Sequence, residues 1–345
     1  MFFKKDKSQL ELFYFVIFTK KRYIMYQEKL FEKIKEKLNG KSLNEVLSGV
    51  LNISYDAAHR RTSLKSKMSL NESVIAAKYF GLSIDSLIGE VHKSYVSVEK
   101  TIQIKNEKNL EQYFEDSYES LRLIVDRKDF HLFYSAKDLP IFHLLKGDLL
   151  SRFKIYVWLK LLDKSFRNLP FKAFYPKLST MQKAKKLGSI YQGVNVSEIW
   201  DTTTINSTLK QIYFYYKAGQ VSFSIALELC NELKLLLDEL SEKVVSKKNV
   251  FNLYYNELLL MNNNVFVFNK EKQMLFVPNS MLSYFKTTDK ETCYEAQSYF
   301  RKQIKHSKLL NTSGEKEQNQ FYNKMMEKVN VLIKLIEAEN FLDFE

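Results

Sequence analysis

The stretch Ser42–Ser63, SLNEVLSGVLNISYDAAHRRTS, reads position by position as two short helices joined by a tight turn. Ser42 followed by Glu45 is the pattern of a capping box, in which hydroxyl and carboxylate satisfy free backbone N–H groups at a helix start. The first helix is predicted to run to Leu51, with Leu47 and Leu51 inward and Ser48 small enough to let a second helix cross closely. Asn52 tolerates the left-handed backbone that a sharp turn demands, and Ile53 plugs the corner. Ser54 then caps a second helix, Tyr55 to Ser63, whose Ala58 packs inward while Tyr55, Asp56, His59, Arg60 and Ser63 face out.

Similar signals flank this pair. Upstream, YQEKLFEKIKEKL begins directly after Met25 and carries Leu30, Phe31, Ile34 and Leu38 on one side. Downstream, Ser69 and Glu72 form a second capping-box pattern that opens SLNESVIAAKYFG, ended by Gly81, and LSIDSLIG supplies a short last helix capped by Ser83. Over Met25–Gly89 the sequence resembles the helix-turn-helix domain of the Cro/C1 (lambda-repressor-like) family, with five helices in that family's order. The resemblance implies that Ser54, Tyr55, Asp56, His59, Arg60 and Ser63 contact bases in the major groove, and that Asn44, Lys65 and Lys67 sit near phosphates. Arg61 departs from the pattern, standing where the family carries an aliphatic residue. Either its stem lies over the core, with Leu64 supplying the missing contact, or the register shifts by one residue. The plain alternative is a helical hairpin that never meets DNA.

A chain of 345 residues with 45% apolar content has the interior for two domains. The formal charge of +13 suits a polyanionic partner, but residues 25–90 hold 10 basic and 8 acidic side chains, so bulk charge adds little there. Position says more, since Arg60, Arg61, Lys65 and Lys67 crowd the end of the reading helix. Cys230 and Cys293 lie far apart and match no ligand spacing, which fits a reducing cytoplasm.

Residues 1–24 read as an N-terminal extension. LELFYFVIF lies between KKDK and TKKR, yet its nine residues fall far short of the roughly 20 that span a bilayer, so no membrane anchor is expected. Met25 is the expected natural start; the alternative is a basic arm that follows a DNA groove. Residues 25–90 form the DNA-binding domain, 91–109 a linker with one short extended piece, and 110–345 a helical dimerisation and sensing domain. There, apolar positions recur at three and four in EQYFEDSYESLRLIV and in FHLLKGDLLSRFKIYVWLKLLDK. Tyr134–Trp158 is similar to the C-terminal half that accompanies this helix-turn-helix in a group of uncharacterised regulators, a resemblance that brings no known ligand. The expected fold is therefore mainly α, an N-terminal five-helix domain plus a larger helical domain. Its β content is expected as one small antiparallel element, with Leu258–Met261, Val265–Phe268 and Met274–Val277 as strands.

From Ser222 to Val245, the residues Ala226, Cys230, Leu233, Leu237, Leu240 and Val244 form a heptad seam. It fits half of a dimer zipper, while Leu229, Leu235 and Leu236 widen the face as a core helix requires. The run IYFYYK, Ile212–Lys217, suits either core or the wall of a ligand pocket. No catalytic, cofactor or metal site is expected. The nearest candidate is His131 with Asp138, His143 and Asp148, whose ordinary reading is polar groups satisfied at helix ends. Two function classes follow. The first is a DNA-binding transcriptional regulator, not an enzyme, acting on double-stranded DNA as a homodimer with an unidentified small-molecule or peptide effector. The second is a non-enzymatic interaction or scaffold protein, antitoxin-like or peptide-sensing.

Overall fold

The computed structural model describes residues 26–38, 40–84, 87, 96–125, 129–246, 250–258 and 262–342. The chain divides into two compact units, Met1–Ser97 and Val98–Glu345. The N-terminal extension and the start at Met25 lie outside the described residues, as do residues 85, 86, 88 and 89 of the expected last helix and residues 91–95 of the linker.

In the first unit α1 spans residues 26–35, and it is followed by α2 (Leu43–Leu51), α3 (Tyr55–Thr62) and α4 (Leu70–Tyr79). Leu30, Phe31, Ile34 and Leu38 are buried with Leu47, Ala58, Ala76, Ala77 and Leu87 in one small core. The apolar stripe of α1 is thus spent on the core it shares with α2, α3 and α4. Ser69 and Glu72 form the expected reciprocal capping box at the start of α4. Ser42 does not match that expectation: it is the N-cap of α2, but its side chain makes no capping hydrogen bond.

The second unit corrects the expectation of a mainly α chain with a small antiparallel element. Helix makes up 59% and strand 13% of the structure, yet the strands assemble into one eight-stranded mixed sheet, so the fold is α/β and not all-α. The strands are β1 (Glu99–Lys100), β2 (His131–Ala136), β3 (Asn195–Trp200), β4 (Phe251–Tyr255), β5 (Val265–Phe268), β6 (Gln273–Ser280), β7 (Ser283–Thr287) and β8 (Lys308–Leu309), in spatial order β1-β7-β6-β5-β2-β3-β4-β8. The helices are α5 (Glu107–Val125), α6 (Leu149–Leu162), α7 (Leu178–Gly188), α8 (Asn206–Lys217), α9 (Phe223–Val245), α10 (Lys290–Lys305) and α11 (Glu315–Leu342).

At the centre β2, β3 and β4 run parallel, joined by crossovers through α6 and α7 and then through α8 and α9. Parallel neighbours require such long connections. The β5–β6 hairpin is the part of the expected antiparallel element that forms, and β7 and β1 extend it. Of the third expected strand, Leu258 is a surface turn residue and residues 259–261 lie outside the described set. That segment's strand is earlier in sequence, at Phe251–Tyr255.

Both faces of the sheet are covered. Leu132, Tyr134, Val196, Trp200, Leu253 and Val267 face a thick helical layer that includes α5, α6, α9 and α11. On the other side Ile199, Phe266 and Leu275 pack against Cys293 and Phe300 of α10. Strands buried on both faces lose the alternation that marks a half-solvated strand. HLFYSA and NVSEIW therefore carried no period-two signal. The expected helix over Phe142–Lys164 is also shorter than its stripe: Gly147, at φ +86°, breaks the chain, and Asp148 caps a helix that starts only at Leu149.

The seam on α9 is settled as core. Ala226, Cys230, Leu233 and Leu237 have no exposed surface, and Leu240 and Val244 have at most 2%. Phe321, Met325, Val329, Leu332 and Ile336 are the buried face of α11, which packs beside α9. A side chain buried within its own chain is not available to a second copy, which removes the seam as a dimer zipper. Cys230 and Cys293 are both free and buried. Among the described residues no helix is long and apolar enough to cross a membrane.

Candidate nucleic-acid interface

The α2–α3 corner is built by short-range chemistry. Asn52 adopts the left-handed conformation, φ 52° and ψ 49°, and Ile53 N–H returns to Ser48 O at 3.0 Å. Ser54 Oγ accepts from Ala57 N–H at 3.2 Å, so this serine is the cap of α3 and its hydroxyl is engaged at the helix start. Ala58 is fully buried, and the residues on the opposite side, Tyr55, Asp56, His59, Arg60 and Ser63, are exposed.

Within that exposed set the side chains are held to different degrees. Asn44, half-buried on α2, reaches across to α3: its Nδ2 donates to Tyr55 Oη at 3.4 Å and lies 3.4 Å from His59 Nδ1, and its Oδ1 accepts from Thr62 Oγ1 at 2.6 Å. A residue assigned to phosphates by resemblance thus serves as a strut between the two helices. Ser63 Oγ donates back to His59 O at 2.6 Å. Asp56 and Arg60, one turn apart, project from the exposed face.

Arg61 stands where the resembling family carries an aliphatic residue, and its side chain is tied on both sides. Its Nη1 donates to Ala57 O at 3.0 Å and its Nη2 to Glu72 Oε1 at 2.6 Å, with only 19% of the side chain exposed. The stem therefore lies over the core, as one of the two readings required, and the guanidinium ties α3 to the first turn of α4. Leu64 packs against the same core at φ +60°. Gln27 of α1 closes the arrangement: its Nε2 donates to Arg61 O at 2.9 Å and Ser66 O at 3.0 Å, and its Oε1 accepts from Met68 N–H at 3.0 Å. This pins the loop after α3, which carries the exposed Lys65 and Lys67 beside the C-terminal end of that helix. The Arg61 hydrogen bond holds the Glu72 carboxyl below the usual carboxylate range, against a smaller opposing effect of burial.

The four polar residues considered for catalysis are not brought together. The His131 ring stacks on Phe268 with centroids 5.2 Å apart, Asp138 Oδ1 accepts from Leu139 N–H at 2.8 Å, and Asp148 Oδ1 accepts from Ser151 N–H at 2.7 Å. His143 is different. Its Nε2 lies 2.8 Å from Glu198 Oε1, and Glu198 Oε2 accepts from Trp200 Nε1 at 2.8 Å, all inside the core. Glu198 was invisible in sequence because a single carboxylate in NVSEIW looks like a solvated strand position. Among the described residues, no group of three or more His, Cys, Asp or Glu is placed to hold a metal ion.

Compared with protein-family models, with curated proteins and with solved structures, the chain matches none.

Proposed function

We propose that the chain is a sequence-specific DNA-binding transcriptional regulator of the Cro/C1 type, reading the major groove with α3. The observation that carries this reading is the exposed face of α3. Asp56 and Arg60 project from it, Asn44 braces Tyr55 and His59 on it, and Lys65 and Lys67 follow at its C-terminal end. A guanidinium at that position suits the O6 and N7 acceptors of guanine, and lysines flanking a reading helix neutralise phosphates. The rigid frame around α3, made by Gln27, Arg61 and Glu72, is what a reader needs, because base contacts fail if the helix tilts.

Two copies addressing two half-sites about one helical turn apart complete the proposal, since one reader of this size touches few base pairs. The copies associate through a surface other than the Ala226–Val244 seam, and the protein acts in the cytoplasm. Electrophoretic mobility shift of the DNA upstream of the chain's own coding sequence, titrated with salt, tests the reading. Specific retardation whose logarithmic affinity falls linearly with the logarithm of salt is expected. Equal affinity for that DNA and for unrelated duplex at every salt concentration refutes it.

A further inference from the structure

We propose that the groove between α6 and α8 binds a small amphipathic anion, an apolar chain or ring carrying a carboxylate. The inference concerns the second unit alone and does not depend on DNA reading. The groove is open to solvent and has a volume of about 860 Å³, within the range of about 300–1,000 Å³ that small-molecule sites occupy. One end of it lies beside the carboxyl ends of two parallel strands. Lys137 directly follows β2, and Thr203 comes three residues after the end of β3.

The walls point to the chemistry. Val157 and Leu161 of α6 face Phe214 and Tyr215 of α8, and Leu161 and Phe214 are 62% and 64% exposed. Large apolar side chains left in water at facing positions lose free energy that an apolar ligand restores. The polar lining includes three lysines, Lys137, Lys210 and Lys217, and no aspartate or glutamate. Two of these lysines have acidic neighbours outside the lining, Lys137 with Asp201 at 3.7 Å and Lys217 with Glu339 at 3.3 Å. These lysines are half-exposed, and such pairs contribute little.

A fourth lysine stands behind the wall. Lys154, one helical turn before Val157, is 1% exposed, and its Nζ donates to Gln211 Oε1 at 2.7 Å and to Thr208 Oγ1 at 3.3 Å. Both acceptors are neutral, and among the described residues no carboxylate lies within ion-pairing distance of it. Burial pulls the Lys154 ammonium below the ordinary lysine range, and the Asp138 carboxylate opposes that. Gln211 itself lines the groove and accepts from the buried Lys154 Nζ, so a bound carboxylate meets the three lining lysines with a further N–H donor one side chain away. Neutral apolar ligands gain nothing from the lining lysines, and cationic ones are repelled by them.

Isothermal titration of the full chain with sodium decanoate, decanol and decyltrimethylammonium bromide, each below its micelle threshold, tests the proposal. Decanoate is expected to bind once per chain, and to displace the dye 8-anilinonaphthalene-1-sulfonate, while the cationic chain binds at least about tenfold more weakly. Lys210→Glu and Phe214→Ala, both at surface positions that leave the core intact, should each weaken decanoate by about tenfold, whereas Lys210→Arg should retain it. Absence of saturable decanoate binding overturns the proposal. Equal binding of the anionic and cationic chains, or binding unchanged in both Lys210→Glu and Phe214→Ala, does the same. So does displacement of the dye by an acidic amphipathic peptide but not by decanoate.

Discussion

Arg61 Nη2 lies 2.6 Å from Glu72 Oε1, while the other oxygen of that carboxylate accepts from Ser69 N–H at 2.8 Å. One carboxylate therefore serves as the partner of a half-buried arginine on α3 and as the closing member of the capping box of α4. Glu72→Ala removes both roles and should cost the first unit about 1–3 kcal/mol. Arg61→Leu, which places the aliphatic residue of the resembling family there but leaves the Glu72 carboxylate without its partner, should also destabilise, by about 1–2 kcal/mol. The carboxyl is held low in the folded chain, so its contribution is present above the ordinary carboxylate value of 4.5 and is lost as pH falls through the lower folded value. The difference in melting temperature between the native chain and Glu72→Gln should thus be full at pH 7 and shrink below pH 4.5. A difference that stays constant down to strongly acid pH contradicts the pairing.

Arg60 is exposed and takes no part in the frame that Arg61 builds. Arg60→Ala should lower operator affinity by about 1–3 kcal/mol and relax discrimination at one base pair. Thermal melting should not move. Unaltered affinity in a folded Arg60→Ala protein takes this side chain out of the reading set.

Asn44 should matter for DNA binding through the helix pair it braces. Its amide contacts Tyr55, His59 and Thr62 of α3. Asn44→Ala should weaken operator binding by about 1 kcal/mol, the scale of one or two lost hydrogen bonds, while the salt slope stays the same. A salt slope reduced by about one unit would instead make Asn44 a phosphate contact.

Leu233 has no exposed surface within its own chain. Leu233→Glu should unfold the second unit, since a carboxylate buried without a partner costs several kcal/mol. Circular dichroism and light scattering distinguish this from interface loss. A folded, monomeric Leu233→Glu chain would return the seam to the role of a dimer contact.

Glu198 connects His143 to Trp200 inside the core. Glu198→Ala leaves a ring nitrogen and an indole N–H without their acceptor and should cost about 3–5 kcal/mol in denaturant unfolding. Glu198→Gln, which keeps one acceptor oxygen, should cost less. Equal stability of native chain and both variants would mean that water replaces the carboxylate at no cost.

The first unit was legible in sequence because its devices are local. Asn52 in the turn, Ser54 at the cap and Ser69 with Glu72 each act over four residues or fewer, the stripe Leu30–Leu38 repeats at spacings of no more than four, and each is found as the pattern required. The start of α2 was overstated, for Ser42 and Glu45 have the spacing of a capping box but not its hydrogen bonds. Arg61 could not be settled from sequence alone, since its partner Glu72 lies on another helix. In the second unit the apolar stripes located α5, α6 and α9, the last being Phe223–Val245 after its Ser222 cap. Whether that seam met a second copy or the protomer's own core depended on α11, about ninety residues away. The sheet was decided entirely by tertiary contact. β2 and β3 pair across more than sixty residues, and with helices on both faces they carry no alternation that a local window detects. Capping and turn geometry are fixed by neighbours in the chain, so sequence determines them; strand pairing and the direction a buried face points are fixed by neighbours in space, which only the folded chain supplies.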